Sequence, residues 1–154
     1  MLANMNNQGF SMIEMLFVLA VISVLLFIGL PSYNSMRDDI ALKNDSHEIV
    51  NALRVAQRRS VVSQGGVTHG VNFATSTYTL FDGDWSMPDK QVEYKLAGGI
   101  EILSGAGQTI VFNRLTGDTM SSTTIVLGTS GDFKNINIKK TGNIDINYSL
   151  FIIH

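Results

Sequence analysis

The chain divides into three stretches by the spacing of its apolar residues. Across residues 10–30, 21 positions, only Ser11, Glu14, Ser23 and Gly29 are neither alanine nor large and apolar. At about 1.5 Å per residue such a helix is roughly 30 Å long, the thickness of a hydrocarbon core. The pattern predicts a transmembrane helix over 10–31. Residues 32–64 hold no Gly or Pro, and Tyr33, Met36, Ile40, Ile49, Val50, Leu53 and Ala56 are expected roughly on one face. This predicts an amphipathic helix over 32–64 that continues the span and stops at Gly65-Gly66.

The period changes after Gly66. Short extended runs at 67–73, 77–81, 92–96, 100–103, 109–112, 123–127, 136–140 and 144–148 are separated by turns such as Gly98-Gly99, Gly105-Ala106-Gly107, Thr116-Gly117-Asp118 and Thr141-Gly142-Asn143. These predict an antiparallel β domain over 66–154 with meander connections, and the apolar 150–153 is expected as an edge strand or a covered tail. The fold class is α+β, a long N-terminal helix packed on a C-terminal antiparallel β domain.

Composition narrows the chemistry. There are no cysteines, which removes disulfides, thiol catalysis and cysteine-held zinc. Residues 66–154 carry six Lys or Arg against eight Asp or Glu, so no broad basic field marks a nucleic-acid partner. His47, His69 and His154 are scattered, with no spacing of a triad or zinc site, and no phosphate-binding glycine loop occurs. No catalytic residue and no cofactor are expected. Asp82, Asp84 and Asp89, with Asn72 nearby, offer oxygen ligands of the kind calcium uses, although carboxylates in a turn also serve to close the turn. Trp85 in the same segment reads either as a packing anchor or as an exposed contact. Arg54, Arg58 and Arg59 fall in the last helical turns, where cations meet the negative end of the helix dipole, and read either as a solvated face or as an assembly contact.

Glu14 is the costly residue of the first stretch. A carboxylate in the apolar region costs about 2.5–3.5 kcal/mol on insertion scales and ordinarily faces a partner or a polar pathway. The other reading places it at the helix end, in reach of interfacial water. A cleaved secretory signal does not fit: residues 1–9 contain no Lys or Arg, the apolar run is long, and no Ala-x-Ala site follows it. Arg37 and Lys43 beyond the span, mixed with Asp38, Asp39 and Asp45, give no clear charge rule for orientation.

Gly9-Phe10-Ser11-Met12-Ile13-Glu14-Met15-Leu16 resembles the N-terminal signal of type IV pilins and type II secretion pseudopilins: a short polar leader ending in Gly, then Phe, then Glu four residues on. The leader departs from the family in lacking basic residues. The resemblance implies that residues 1–9 are removed by prepilin peptidase between Gly9 and Phe10, and that the new amino group of Phe10 is methylated. It implies that Glu14 meets the amino group of a neighbouring subunit, and that the helix bends or loosens around Gly29 and Pro31. Within the family, Leu53-Arg54-Val55-Ala56-Gln57-Arg58-Arg59-Ser60-Val61, Ile110-Val111-Phe112-Asn113-Arg114-Leu115-Thr116-Gly117 and Ile136-Asn137-Ile138 with Thr141-Gly142-Asn143-Ile144 are similar to the minor pseudopilin H and FimT-like group.

The function implied is a structural minor subunit of a type II secretion pseudopilus or type IV pilus. It would be anchored once in the inner membrane, with the C-terminal domain outside the cytoplasm. The implied partners are other pilin or pseudopilin subunits, prepilin peptidase, the inner-membrane assembly platform and membrane lipid. The alternative is a FimT-like minor pilin that binds DNA during natural transformation, with Lys134, Lys139 and Lys140 as the DNA contacts. On an extended strand Lys139 and Lys140 point to opposite faces, which weakens that cluster.

Overall fold

The computed structural model describes residues 10–129 and 131–147, with the side chains of 27–35 excepted. One helix, α1, spans Met12–Val61. Eight strands follow: β1 His69–Phe73, β2 Thr77–Asp84, β3 Met87–Lys95, β4 Glu101–Ser104, β5 Thr109–Phe112, β6 Thr123–Gly128, β7 Phe133–Ile138 and β8 Ile144–Asn147. By contact density the chain forms two units, one up to Arg37 and one from Asp38 onward.

In the first unit α1 is apolar on every side. Each described side chain from Phe10 to Leu26 is exposed, including Phe10, Met12, Phe17 and Leu25. Ser23 satisfies its hydroxyl within the helix by donating to the Leu19 carbonyl at 2.7 Å. Among the described residues no helix is long and apolar enough to cross a membrane. The helical backbone continues through Gly29 and Pro31.

In the second unit the same helix has a single buried stripe. Leu42, Asp45, Ser46, Ile49, Leu53, Ala56 and Ser60 are buried, a repeat close to 3.6 residues. This corrects the expected face, because Met36 and Ile40 are exposed and Leu42 takes their place. Ile40 and Ile49 are nine positions apart, two and a half helical turns, so they lie on opposite sides. Both buried polar side chains near the start of the stripe are bonded. Asp45 accepts the Ala97 amide at 2.8 Å, tying the segment after β3 to the helix, and Ser46 donates to the Leu42 carbonyl at 2.6 Å.

The strands form two antiparallel four-stranded sheets, ordered β3-β2-β1-β5 and β4-β6-β7-β8. The expected run of meanders holds for β1-β2-β3 and for β6-β7-β8 but fails between them: β4 joins the second sheet and β5 returns to the first beside β1. Period-two alternation puts Val71 and Phe73, Ile110 and Phe112, Ile125 and Leu127, and Ile136 and Ile138 into one apolar cluster with Leu42, Ile49, Leu53 and Ala56 of α1. The β2–β3 hairpin is longer than expected and turns tightly at Trp85-Ser86.

Candidate assembly segment and helix-end junction

The first site to consider is the start of α1. Glu14 and Met15 both donate their backbone amides to the Ser11 carbonyl, at 3.0 and 3.2 Å, which places Ser11 at the cap and Glu14 in the first turn. A carboxylate there faces the positive end of the helix dipole. Ser11-Met12-Ile13-Glu14 also has the Ser-x-x-Glu spacing of a capping box, a signal the sequence reading passed over. Phe10 is 78% exposed at the head of this segment, and Gly9 lies outside the described residues.

The other end of α1 is a junction built from distant segments. The helix stops at Val61, three residues before the expected end, where Ser63 turns left-handed at φ 50° and a short 3-10 turn covers Gln64–Gly66. Gln57 donates its side-chain amide to two carbonyls, Gly117 at 2.9 Å and Gly142 at 2.8 Å. The approach is close enough that a Cβ on Gly117 would sit 2.6 Å from the Val61 side chain, and one on Gly142 would strike the Gly117 carbonyl and the Gln57 amide. Leu115 donates its amide to the Ser60 carbonyl at 3.0 Å, satisfying one of the helix's terminal acceptors. Arg114 donates through Nε and Nη2 to the Ser63 hydroxyl at 3.0 and 2.7 Å. The three short motifs scattered along the sequence therefore converge on one helix terminus.

A polar triad backs this junction. His69, buried on β1, meets an acceptor at each ring nitrogen: Asp82 Oδ1 at 2.6 Å and the Gln64 carbonyl at 3.0 Å. Arg59 reaches the same Asp82 oxygen at 3.1 Å. Burial alone pushes the Asp82 carboxyl up. The hydrogen bond and charge of His69, together with the Arg59 guanidinium, outweigh it and hold the group below the usual carboxylate range.

The three aspartates named as oxygen ligands, Asp82, Asp84 and Asp89, have separate surroundings. Asp82 is a strand residue engaged by Arg59 and His69. Asp84 closes the hairpin by accepting the Ser86 amide at 2.8 Å, which holds its carboxyl below the ordinary range. Asp89 lies on β3 beside Gly83, at the register shift between the Asp82–Lys90 and Gly83–Pro88 pairs. Among the described residues no group of three or more His, Asp or Glu is placed to hold a metal ion. Trp85 packs on Phe81 with ring centroids 5.2 Å apart and is 38% exposed.

The lysines expected as DNA contacts do not form one patch. β7 ends at Ile138, so Lys139 and Lys140 sit in the β7–β8 turn and the strand-alternation reasoning does not apply to them. Lys134, at the other end of β7, is about 16 Å away along the strand. Lys134 lies 3.3 Å from Asp39 and Lys139 lies 3.4 Å from Asp145, while Lys140 faces the Asp118 carboxylate. His47 is exposed on α1, apart from His69, and His154 lies outside the described residues.

Residues 4–30 match the prokaryotic N-terminal methylation motif. The chain's fold is similar to that of the minor pseudopilin EpsH from the type 2 secretion system of Vibrio cholerae, at 13% identity and a TM-score of 0.53, over 70% of this chain and 96% of that one. No curated protein matches the chain. Motif and fold together support the type IV pilin and type II secretion pseudopilin superfamily.

Proposed function

We propose that the chain is a structural minor subunit that assembles through its N-terminal helix into a type II secretion pseudopilus or a type IV pilus. The observation that carries this reading is the coincidence of the methylation motif with a helix whose described side chains from Phe10 to Leu26 are apolar, apart from Ser11, Glu14 and Ser23, and wholly uncovered. Such a surface needs lipid or neighbouring helices around it.

On this reading prepilin peptidase cuts between Gly9 and Phe10 and the Phe10 amino group is methylated. Residues 10–31 cross the inner membrane, and the domain from Asp38 stands outside the cytoplasm. The inner-membrane assembly platform then draws the subunit into the filament. Glu14 pairs with the Phe10 amino group of a neighbour. Desolvation reduces the net strength of that pair, but two unpaired charges are worse than one pair, so its effect is to select one axial offset between subunits. Gly29 and Pro31 are where the helix loosens on packing, because Pro lacks the amide a helix needs and Gly favours the unfolded chain.

Two measurements test this. The intact mass of the protein from membranes should equal residues 10–154 plus one methyl group; a mass that includes residues 1–9 sinks the processing. Glu14→Val should remain in the membrane fraction at wild-type level while its yield in sheared filaments falls at least tenfold. Wild-type incorporation of that variant would overturn the pairing role.

A further inference from the structure

We infer that the C-terminal end of α1 is a docking surface for a second protein, one presenting an apolar pocket ringed by carboxylates. Arg54, Arg58 and Val61 follow one another at helical spacing on the exposed side of α1, and Val62 stands just past its end. The turn after β5 completes the surface. The Leu115 amide is tied to the Ser60 carbonyl and the Arg114 guanidinium to the Ser63 hydroxyl, so this turn is held at the end of the helix that carries Val61.

Three observations point outward. Val62 and Leu115 are each 71% exposed at the end of a domain whose other large aliphatic side chains are mostly in the core. Leu115 has φ 70°, an uncommon conformation for a leucine, and its side chain gains no burial in exchange. That conformation sets the Leu115 amide on the Ser60 carbonyl and leaves the side chain in solvent. Four of the five arginines of the chain collect at this end, while its six lysines are spread over the helix and sheets. Among the described residues no carboxylate pairs with Arg54 or Arg58.

Charge and geometry choose the occupant. The buried centre of an interface is more apolar than the rest of a protein surface, and arginine is the charged residue enriched there. Arg114 is held by two hydrogen bonds to a single hydroxyl, so its remaining N–H groups have a fixed direction. A fixed guanidinium fits a carboxylate in two-point contact, whereas the diffuse charge of a lipid surface is met equally well by mobile lysines. The partner is therefore a protein with acidic residues around the groove that receives Leu115 and Val62.

The test uses the full-length chain in the membranes of cells that make it, with Val62→p-benzoylphenylalanine as a photo-crosslinker and Met87→p-benzoylphenylalanine, on exposed β3, as the control. The expected result is an adduct with one protein at least fivefold above the control, joined at a segment containing Asp or Glu. Arg58→Glu with Arg114→Glu should reduce it at least tenfold. Leu115→Gly should also reduce it while leaving the melting temperature unchanged or higher, because glycine accepts the left-handed conformation freely, and misfolding would give the opposite shift. Yield equal to the control, adducts with lipid alone, or indifference to charge reversal overturns the inference. A chain absent from filaments yet captured through Val62 keeps this inference and loses the assembly reading; a chain that assembles without the adduct does the reverse.

Discussion

The two parts of α1 treat apolar residues in opposite ways. From Phe10 to Leu26 they point in every direction and all are exposed, whereas from Leu42 to Ala56 they are confined to one stripe and covered by both sheets. The first part has not selected a face because its surroundings have none; the second has selected a face because water lies on the other side. A helix therefore records, in the angular spread of its apolar residues, the medium it is made for.

The contrast can be broken by truncation. Leu53→Ala, in the covered part, should destabilise the domain by about 2–5 kcal/mol, since a buried leucine leaves a cavity. Leu19→Ala, in the uncovered part, should change the unfolding midpoint of the same domain by less than about 0.5 kcal/mol while weakening membrane retention. Urea unfolding monitored through Trp85 measures both. A comparable loss from Leu19→Ala would mean that the exposed segment packs on the domain.

Smaller effects sharpen the comparison at the junction. Gln57→Ala removes the donor shared by Gly117 and Gly142 and should cost about 1–3 kcal/mol, read in the same unfolding experiment. The smallest effect is in acid. Because the Asp82 carboxyl is held below its unfolded value of about 3.9, its stabilisation is full above that pH and is lost as pH falls through the folded value. Melting temperatures measured from pH 5 downward should therefore fall more steeply for the wild type than for Asp82→Asn. Equal slopes would remove Asp82 from the acid response.

What could be read in advance followed range. The uncovered helix and the eight extended runs are local patterns, and each appears in the structure within a few residues of its expected place; the methylation motif is a local pattern too, matched over residues 4–30. Asp82-Gly83-Asp84 read as a loop because nothing nearby in sequence explains an aspartate in a strand. The explanation comes from Arg59, 23 residues away, and His69, 13 away. The helix face differs from the expected one at Ile40 because the interval between Ile40 and Ile49 spans two and a half turns, which carries the apolar positions to opposite sides. Gln57 was invisible for a similar reason: each of its two partners belongs to a different turn, and only the folded chain brings them together.

Those two partners lie 60 and 85 residues beyond Gln57. Closing loops of that length is slow, and neither bond can form before its turn exists. A chain made from its N-terminus onward must deliver residues up to Gly142 before the last turn of α1 is fastened. Until then the helix terminus stays open to solvent. The basic, apolar end of α1 thus takes its final shape only when residues up to Gly142 have arrived.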